Sequence, residues 1–166
     1  MPNPLDHPLA RGLILTAALL AAPWRPAAAA APDHSVVFNA NCSMCHQLGA
    51  MGVTGQFPRL AGRAGRIAAT AAGRHYLENV VLYGLMGTIE VDGTPIVGGV
   101  MPSFASLSNQ DLAAALNYVI SLDKSGKLSW KGAVIKPAQI ARIRTGKPSS
   151  PMQVHRLRAA LGKGAS

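Results

Sequence analysis

The sequence predicts a small all-α domain with one short hairpin, and three local patterns support this. Apolar residues recur at helical spacing between Tyr76 and Tyr83, which is typical of one face of an amphipathic helix. Ser108-Asn109-Gln110-Asp111 precedes a second such run and is close to a capping box, with Asp111 in place of glutamate. Between these two helices, Asp92-Gly93 is a turn signal.

In chain order, we expect a helix at 35–46, a glycine-rich loop at 48–65, a helix at 68–85 interrupted at Gly73, a hairpin at 88–100 and a helix from about 109 to 122. Val36, Val37 and Phe38 form the expected apolar side of the first helix. Glycine and proline mark the loop. The last helix has Leu112, Leu116 and Val119 on its apolar face.

Residues 1–31 have the features of a cleaved signal peptide. Arg11 precedes an apolar run from Gly12 to Ala22, and the alanine-rich stretch at 27–31 supplies small residues for cleavage. The apolar run is about eleven residues long, whereas a membrane-spanning helix needs about twenty. A twin-arginine pair is absent, which favours Sec export. The sequence therefore predicts a periplasmic protein.

Charge divides the rest of the chain into two parts. The whole chain has a net charge of +9, but residues 32–123 carry −2, while residues 124–166 contain ten Lys and Arg and no acid. We therefore expect one domain at 32–123 and a basic tail at 124–166. Export disfavours nucleic acid as the partner of this tail.

The tail contains an internal repeat. Pro137–Arg144 is echoed by Pro151–Arg158, and each copy is followed by glycine, which predicts two short helices. Helices this short are marginal in water without a surface to pack on. Two interpretations stay open: the helices lie on their own domain, or they dock to a redox partner or to an anionic membrane surface.

The motif with the clearest chemistry is Cys42-Ser43-Met44-Cys45-His46, the C-x-x-C-H attachment signature of c-type haem. On a helix, positions i, i+3 and i+4 share one face. Two thiols can then add to the haem vinyl groups, and His46 can bind the iron. The alternatives are a redox-active thiol pair or part of a zinc site. The zinc alternative would need further Cys or an H-x3-5-H motif, and the thiol pair would need a βαβ context.

Over roughly residues 35–122, the chain resembles the class I mono-haem c-type cytochromes. The matching features occur in the family's order: Phe38 of the first helix, the motif at 42–46, Pro58-Arg59-Leu60-Ala61-Gly62, Gly99-Val100-Met101-Pro102-Ser103-Phe104, and Tyr118 of the last helix. The resemblance implies a few helices wrapped around one covalently bound haem c. It also implies that the Pro58 carbonyl accepts a hydrogen bond from His46. The domain lacks the tryptophan that binds a haem propionate in some relatives.

Met101 is the expected distal iron ligand, opposite His46. Its flanking Gly-Val and Pro set it apart from the other methionines, and a thioether is a soft, neutral ligand. The competing interpretation is that Met101 fills the core. Other candidates for the distal position are weaker, namely Met51, Met86 and His75. Met44 lies inside the motif, on the proximal side of the ring, and Met152 and His155 lie in the tail.

The resemblance implies an electron carrier, without enzymatic activity of its own, that passes single electrons from an exported dehydrogenase to an oxidase or other acceptor. It could diffuse freely or be the cytochrome subunit of the dehydrogenase. The alternative is a sensor or peroxide-reducing haem protein, which would need a labile sixth ligand.

Overall fold

The computed structural model describes residues 34–129 and 135–162. The predicted signal peptide, residues 1–31, lies outside this part of the chain. The described α-helices are α1 (His34–Asn41), α2 (Ser43–His46), α3 (Ala64–Ala68), α4 (Ala71–Tyr83), α5 (Asn109–Ser121), α6 (Pro137–Thr145) and α7 (Pro151–Ala160). The short strands are β1 (Leu85–Met86), β2 (Ile89–Val91), β3 (Thr94–Ile96) and β4 (Val100–Met101). The fold is helix-rich, with two small sheets.

The first predicted helix is divided in two at Cys42, which lies in a turn between α1 and α2. Only one side chain of its expected apolar side is fully buried: Phe38 is 1% exposed, whereas Val36 is 61% exposed. The Phe38 ring packs against Tyr118 of α5, with ring centroids 5.1 Å apart. This contact joins the first and last helices of the predicted domain.

The two longer helices begin where side chains cap them. Thr70 accepts a hydrogen bond from the Gly73 N–H at the start of α4, and Ser108 accepts one from the Asp111 N–H at the start of α5. Each cap satisfies a backbone donor that the helix itself leaves unpaired. Gly73 therefore lies in the first turn of α4, and a separate helix, α3, precedes it. The predicted helix at 68–85, interrupted at Gly73, was wrong in this respect.

The hairpin at Asp92-Gly93 is present as β2 and β3, paired antiparallel. Both turn residues have positive φ, 51° and 77°, as a two-residue type I′ turn requires. A second pair of strands was not predicted: β1 pairs antiparallel with β4, and Leu85 lies opposite Met101. These strands have two residues each, too short for a periodic signal in the sequence.

The two helices of the basic segment pack on the rest of the protein. Ile140 of α6 and Val154 of α7 are 0% exposed and belong to the same core as Phe38. The Tyr83 hydroxyl donates to the Ile143 carbonyl (3.0 Å), and Arg144 donates to Asn109 Oδ1 (2.8 Å). Of the two interpretations of these helices, the structure supports packing on their own domain.

Two further contacts attach this segment. Asn117 of α5 donates to the Ile135 carbonyl (2.9 Å) and accepts from the Ile135 N–H (2.8 Å). The His155 ring lies against Gly87, and its Nε2 is 2.8 Å from the Thr88 carbonyl. Among the described residues, no helix is long and apolar enough to cross a membrane.

Candidate haem site

The C-x-x-C-H motif forms a single helical turn. The N–H groups of Cys45 and His46 both donate to the Cys42 carbonyl, at 3.2 and 2.9 Å. Both cysteine side chains are partly buried, while His46 is 6% exposed. The turn holds two thiols and one imidazole within five residues at the wall of a cavity.

The His46 ring has a fixed orientation. Its Nδ1 lies 2.9 Å from the Pro58 carbonyl oxygen; because a carbonyl can only accept, Nδ1 carries the proton. Nε2 is then the nitrogen that could bind a metal. Burial lowers the pKa of His46, and the hydrogen bond to Pro58 opposes that effect. The net direction favours the neutral imidazole, which is the form that binds iron.

The Pro58 carbonyl is held in position by the loop that leads to it. The Gly52 N–H donates to the His46 carbonyl (2.7 Å), and the Val53 N–H donates to Phe57 (2.8 Å). Gly52 has a φ of +67°, and a Cβ there would lie 2.5 Å from the Phe57 oxygen and 2.7 Å from the Pro58 carbonyl carbon. The positive φ and the lack of room for a Cβ together require glycine at position 52.

We expect Gly52→Ala to lower the free energy of unfolding of the haem-loaded protein by more than Gly55→Ala does. Both positions have positive φ, which costs an alanine about 1–2 kcal/mol. Gly55 has no atom within 4 Å of an added Cβ, whereas Gly52 meets the backbone next to Pro58. Chemical denaturation of both variants isolates the clash. Equal losses of unfolding free energy would mean that the loop before Pro58 accommodates the added Cβ at no energetic cost.

Met101 is brought to the same cavity by a different element. It lies in β4, opposite Leu85, and is partly buried against the core. Gly84 precedes β1 with a φ of +77°, and a Cβ there would come very close to the Met101 carbonyl oxygen. The Phe104 N–H donates to Val81 (2.9 Å) and anchors the segment that follows. The chain around Met101 is therefore fixed on both sides.

Two neighbouring cavities share Cys42, His46, Pro58, Leu85, Ile89 and Met101 in their walls. The inner one has about 760 Å³ of space free of protein atoms, including its opening to solvent. Its walls are mostly apolar, with Phe38, Leu77 and Val80 among them. A large apolar group that is attached to the thiols and bound by a nitrogen and a sulfur fits these residues.

The thiols fit covalent attachment better than thiol redox chemistry. Burial, and to a lesser extent the neighbouring Cys45, raises the pKa of Cys42 to about 11, whereas a redox-active thiol usually has a lowered pKa. In the described ranges, no three His, Cys, Asp or Glu side chains are placed to hold a metal ion together. The zinc alternative therefore finds no support.

The structure separates Met101 from the weaker candidates. Met44 is 85% exposed, and Met51 and Met86 are more than 40% exposed. Met51 lies at a different cavity, and His75 is on the surface.

Three lining residues were missed in the sequence: Arg63, Tyr76 and Arg158 reach the inner cavity although none belongs to a recognised motif. Tyr76 had been assigned only to an apolar helix face. For Arg158 the sequence gives no signal, since it is one of ten cations in the basic segment.

The helices, the C-x-x-C-H turn and the apolar cavity fit a small protein that carries a covalently attached haem. Comparison with known proteins agrees: the cytochrome c family model matches residues 35–123. A cytochrome c-552 of Thermus thermophilus is 41% identical over 123 residues, which cover 74% of this chain and 92% of that protein. A second cytochrome c-552, from a designated strain of Thermus thermophilus, is also 41% identical over 123 residues, which cover 82% of its length. The chain belongs to the cytochrome c family.

It follows that the protein binds covalently attached haem c and acts as an electron carrier and not as an enzyme. Its partners in the cell are redox proteins.

Proposed function

We propose that this chain is a periplasmic electron carrier whose single haem is bound by His46 and Met101. The observation that supports this most strongly is the shared cavity: an oriented imidazole and a thioether come from separate segments to the same apolar walls. When bound, haem takes up and releases one electron at a time. The residues of the chain attach it, orient it and exclude water from it.

His46 and Met101 suit electron transfer more than ligand exchange. Both are neutral donors, and the combination of Met and His raises the potential of a haem. His46 is held by Pro58 and Met101 by the pairing with Leu85, so both ligands can stay in place as the charge on the iron changes. A sensor or peroxide-reducing protein would instead need a distal position that opens easily.

Cys42 and Cys45 are the proposed sites of attachment. Each thiol would add to one vinyl group, with the sulfur bonded to carbon and the thiol hydrogen transferred to the former vinyl group. The two bonds fix the haem beside His46 without a disulfide.

We expect mass spectrometry of protein matured in a haem-attaching, export-competent host to give the mass of a processed chain plus one haem. Cleavage is expected near 29–31, and subcellular fractionation should recover the protein from the periplasm. Cys42→Ala or Cys45→Ala should leave one thioether and reduce both the yield and the stability. Haem that is freely extracted by acidic organic solvent would contradict attachment, and an unprocessed cytoplasmic chain would contradict export.

The electron donor is proposed to be an exported dehydrogenase, with an oxidase or other acceptor downstream. The helices of the basic segment are packed on the core, but several of its cations stay exposed, such as Lys124, Lys147 and Arg156. These cations can attract the protein to an acidic partner or to an anionic membrane surface. If so, the rate of electron exchange should fall as salt rises. Co-purification from the native host would identify the partner.

A further inference from the structure

Two arginines in the wall of the inner cavity lie near one another. Arg63, just before α3, is 3% exposed, and Arg158 of α7 is 9% exposed. Both line the same cavity as His46 and Met101, together with Tyr76, which is 4% exposed. The cavity wall is therefore mostly apolar, with a cationic patch formed by Arg63 and Arg158. One of its two cations comes from the basic C-terminal segment.

The two guanidinium groups repel one another. Burial is the main cause that lowers the pKa of Arg63, and the charge of Arg158 is the next. Asp92 opposes this effect, because its Oδ1 lies 3.7 Å from Arg63 Nε. The Asp92 side chain is half-exposed, however, and its Oδ2 also accepts a hydrogen bond from Arg59 Nη2 at 2.6 Å. Buried charges are normally compensated by a partner of opposite sign, and Asp92 is shared between Arg59 and Arg63.

Arg158 is held in place within this patch. Its Nη2 donates to the Glu90 carbonyl (2.7 Å), and its guanidinium carbon lies 6.0 Å from the centroid of the Tyr76 ring. A guanidinium fixed in this way is suited to bind a carboxylate with two parallel hydrogen bonds. Tyr76 adds a hydroxyl whose pKa is raised by burial, so the hydroxyl keeps its proton and can donate.

We propose that Arg63, Tyr76 and Arg158 form a carboxylate-binding site for a propionate side chain of the haem. The inference rests on the proposed function, since it needs the haem to lie between His46 and Met101. A haem is an apolar ring that carries two carboxylates on one edge, and an apolar cavity with a cationic patch matches that distribution. The family match ends at residue 123, so Arg158 lies outside it. The C-terminal segment thus binds the cofactor directly.

The test uses the full-length, haem-loaded protein with Arg158→Gln and, as a matched control, Arg156→Gln. Arg156 is exposed on the same helix, so both variants remove one positive charge from α7. Removing a partly desolvated cation beside the haem carboxylate favours the oxidised form. We expect a rise of roughly threefold to tenfold in the oxidised-to-reduced ratio at a fixed applied potential for Arg158→Gln, and less than twofold for Arg156→Gln.

Resonance Raman spectra give a second readout that overall stability does not affect. Vibrations of the propionate groups should shift in Arg158→Gln and in Tyr76→Phe and stay unchanged in Arg156→Gln. If Arg158→Gln does not fold, Arg158→Lys retains the charge but loses the paired donors, and should still shift these vibrations. Equal potentials in the two glutamine variants, or unchanged vibrations in Arg158→Lys and Tyr76→Phe, would overturn the inference.

The wild-type protein distinguishes this failure from failure of the proposed function. Covalent haem and a sulfur-to-iron absorption band in the wild type, with no effect at Arg158, would refute only the propionate site. Absence of that band would refute ligation by Met101 and with it the placement on which the inference rests.

Discussion

Replacing Met101 with alanine is expected to remove the weak near-infrared absorption of a sulfur–iron bond and to lower the reduction potential. The thioether favours the reduced iron, and alanine offers no donor in its place. We expect a fall on the order of 100 mV, part of the roughly 0.8 V over which axial ligands tune haem potentials. Visible and near-infrared spectra and a redox titration measure both effects.

Met86→Ala is the matched control, because Met86 lies in β1 beside the strand that carries Met101 but is 43% exposed. Its substitution should leave both the band and the potential unchanged. A Met101→Ala protein with the wild-type spectrum and potential would contradict the proposed ligand and move the assignment to Met51, Met86 or a histidine.

The second large effect is expected in the basic segment. Ile140 is 0% exposed within the core, so Ile140→Ala leaves a cavity and should lower the free energy of unfolding by about 2–5 kcal/mol. Met152→Ala changes a side chain of α7 that is 49% exposed and should cost less than about 0.5 kcal/mol. Urea denaturation of the haem-loaded proteins measures both.

Deletion of residues 136–166 tests the same point more severely. It removes α6, α7 and the Arg158 side chain, so the haem domain should lose stability and its haem spectrum should change. A truncated protein with the wild-type stability and spectrum would contradict the structural role of this segment. Docking to a partner would then be the remaining role for α6 and α7.

The sequence predicted those parts of the fold that depend on local signals. Ser108 caps α5, and the turn at Asp92-Gly93 closes a hairpin, because both features are determined by a few neighbouring residues. The division of the first helix at Cys42 was missed, since no glycine or proline marks it in the sequence. The β1–β4 pairing was missed because two-residue strands depend on contacts made far apart in the chain.

The same distinction applies to the site. The motif and the resemblance led to Cys42, His46 and Met101, and the structure brings them to shared cavity walls. Arg158 could not be recognised, because its burial results from the packing of α7 against the haem domain. The charge pattern suggested a separate tail, whereas the shortness of the two predicted helices already indicated that they need a surface to pack on.

The most direct test of the account is to mix the reduced wild-type protein with carbon monoxide. If Met101 occupies the distal position and the chain around it is held by Gly84 and Leu85, carbon monoxide should bind very slowly or not at all. The visible spectrum should then be the same before and after mixing. Rapid and complete formation of a carbon monoxide complex would contradict the account, because it would require an open or weakly held sixth position, as in a sensor or peroxide-reducing haem protein.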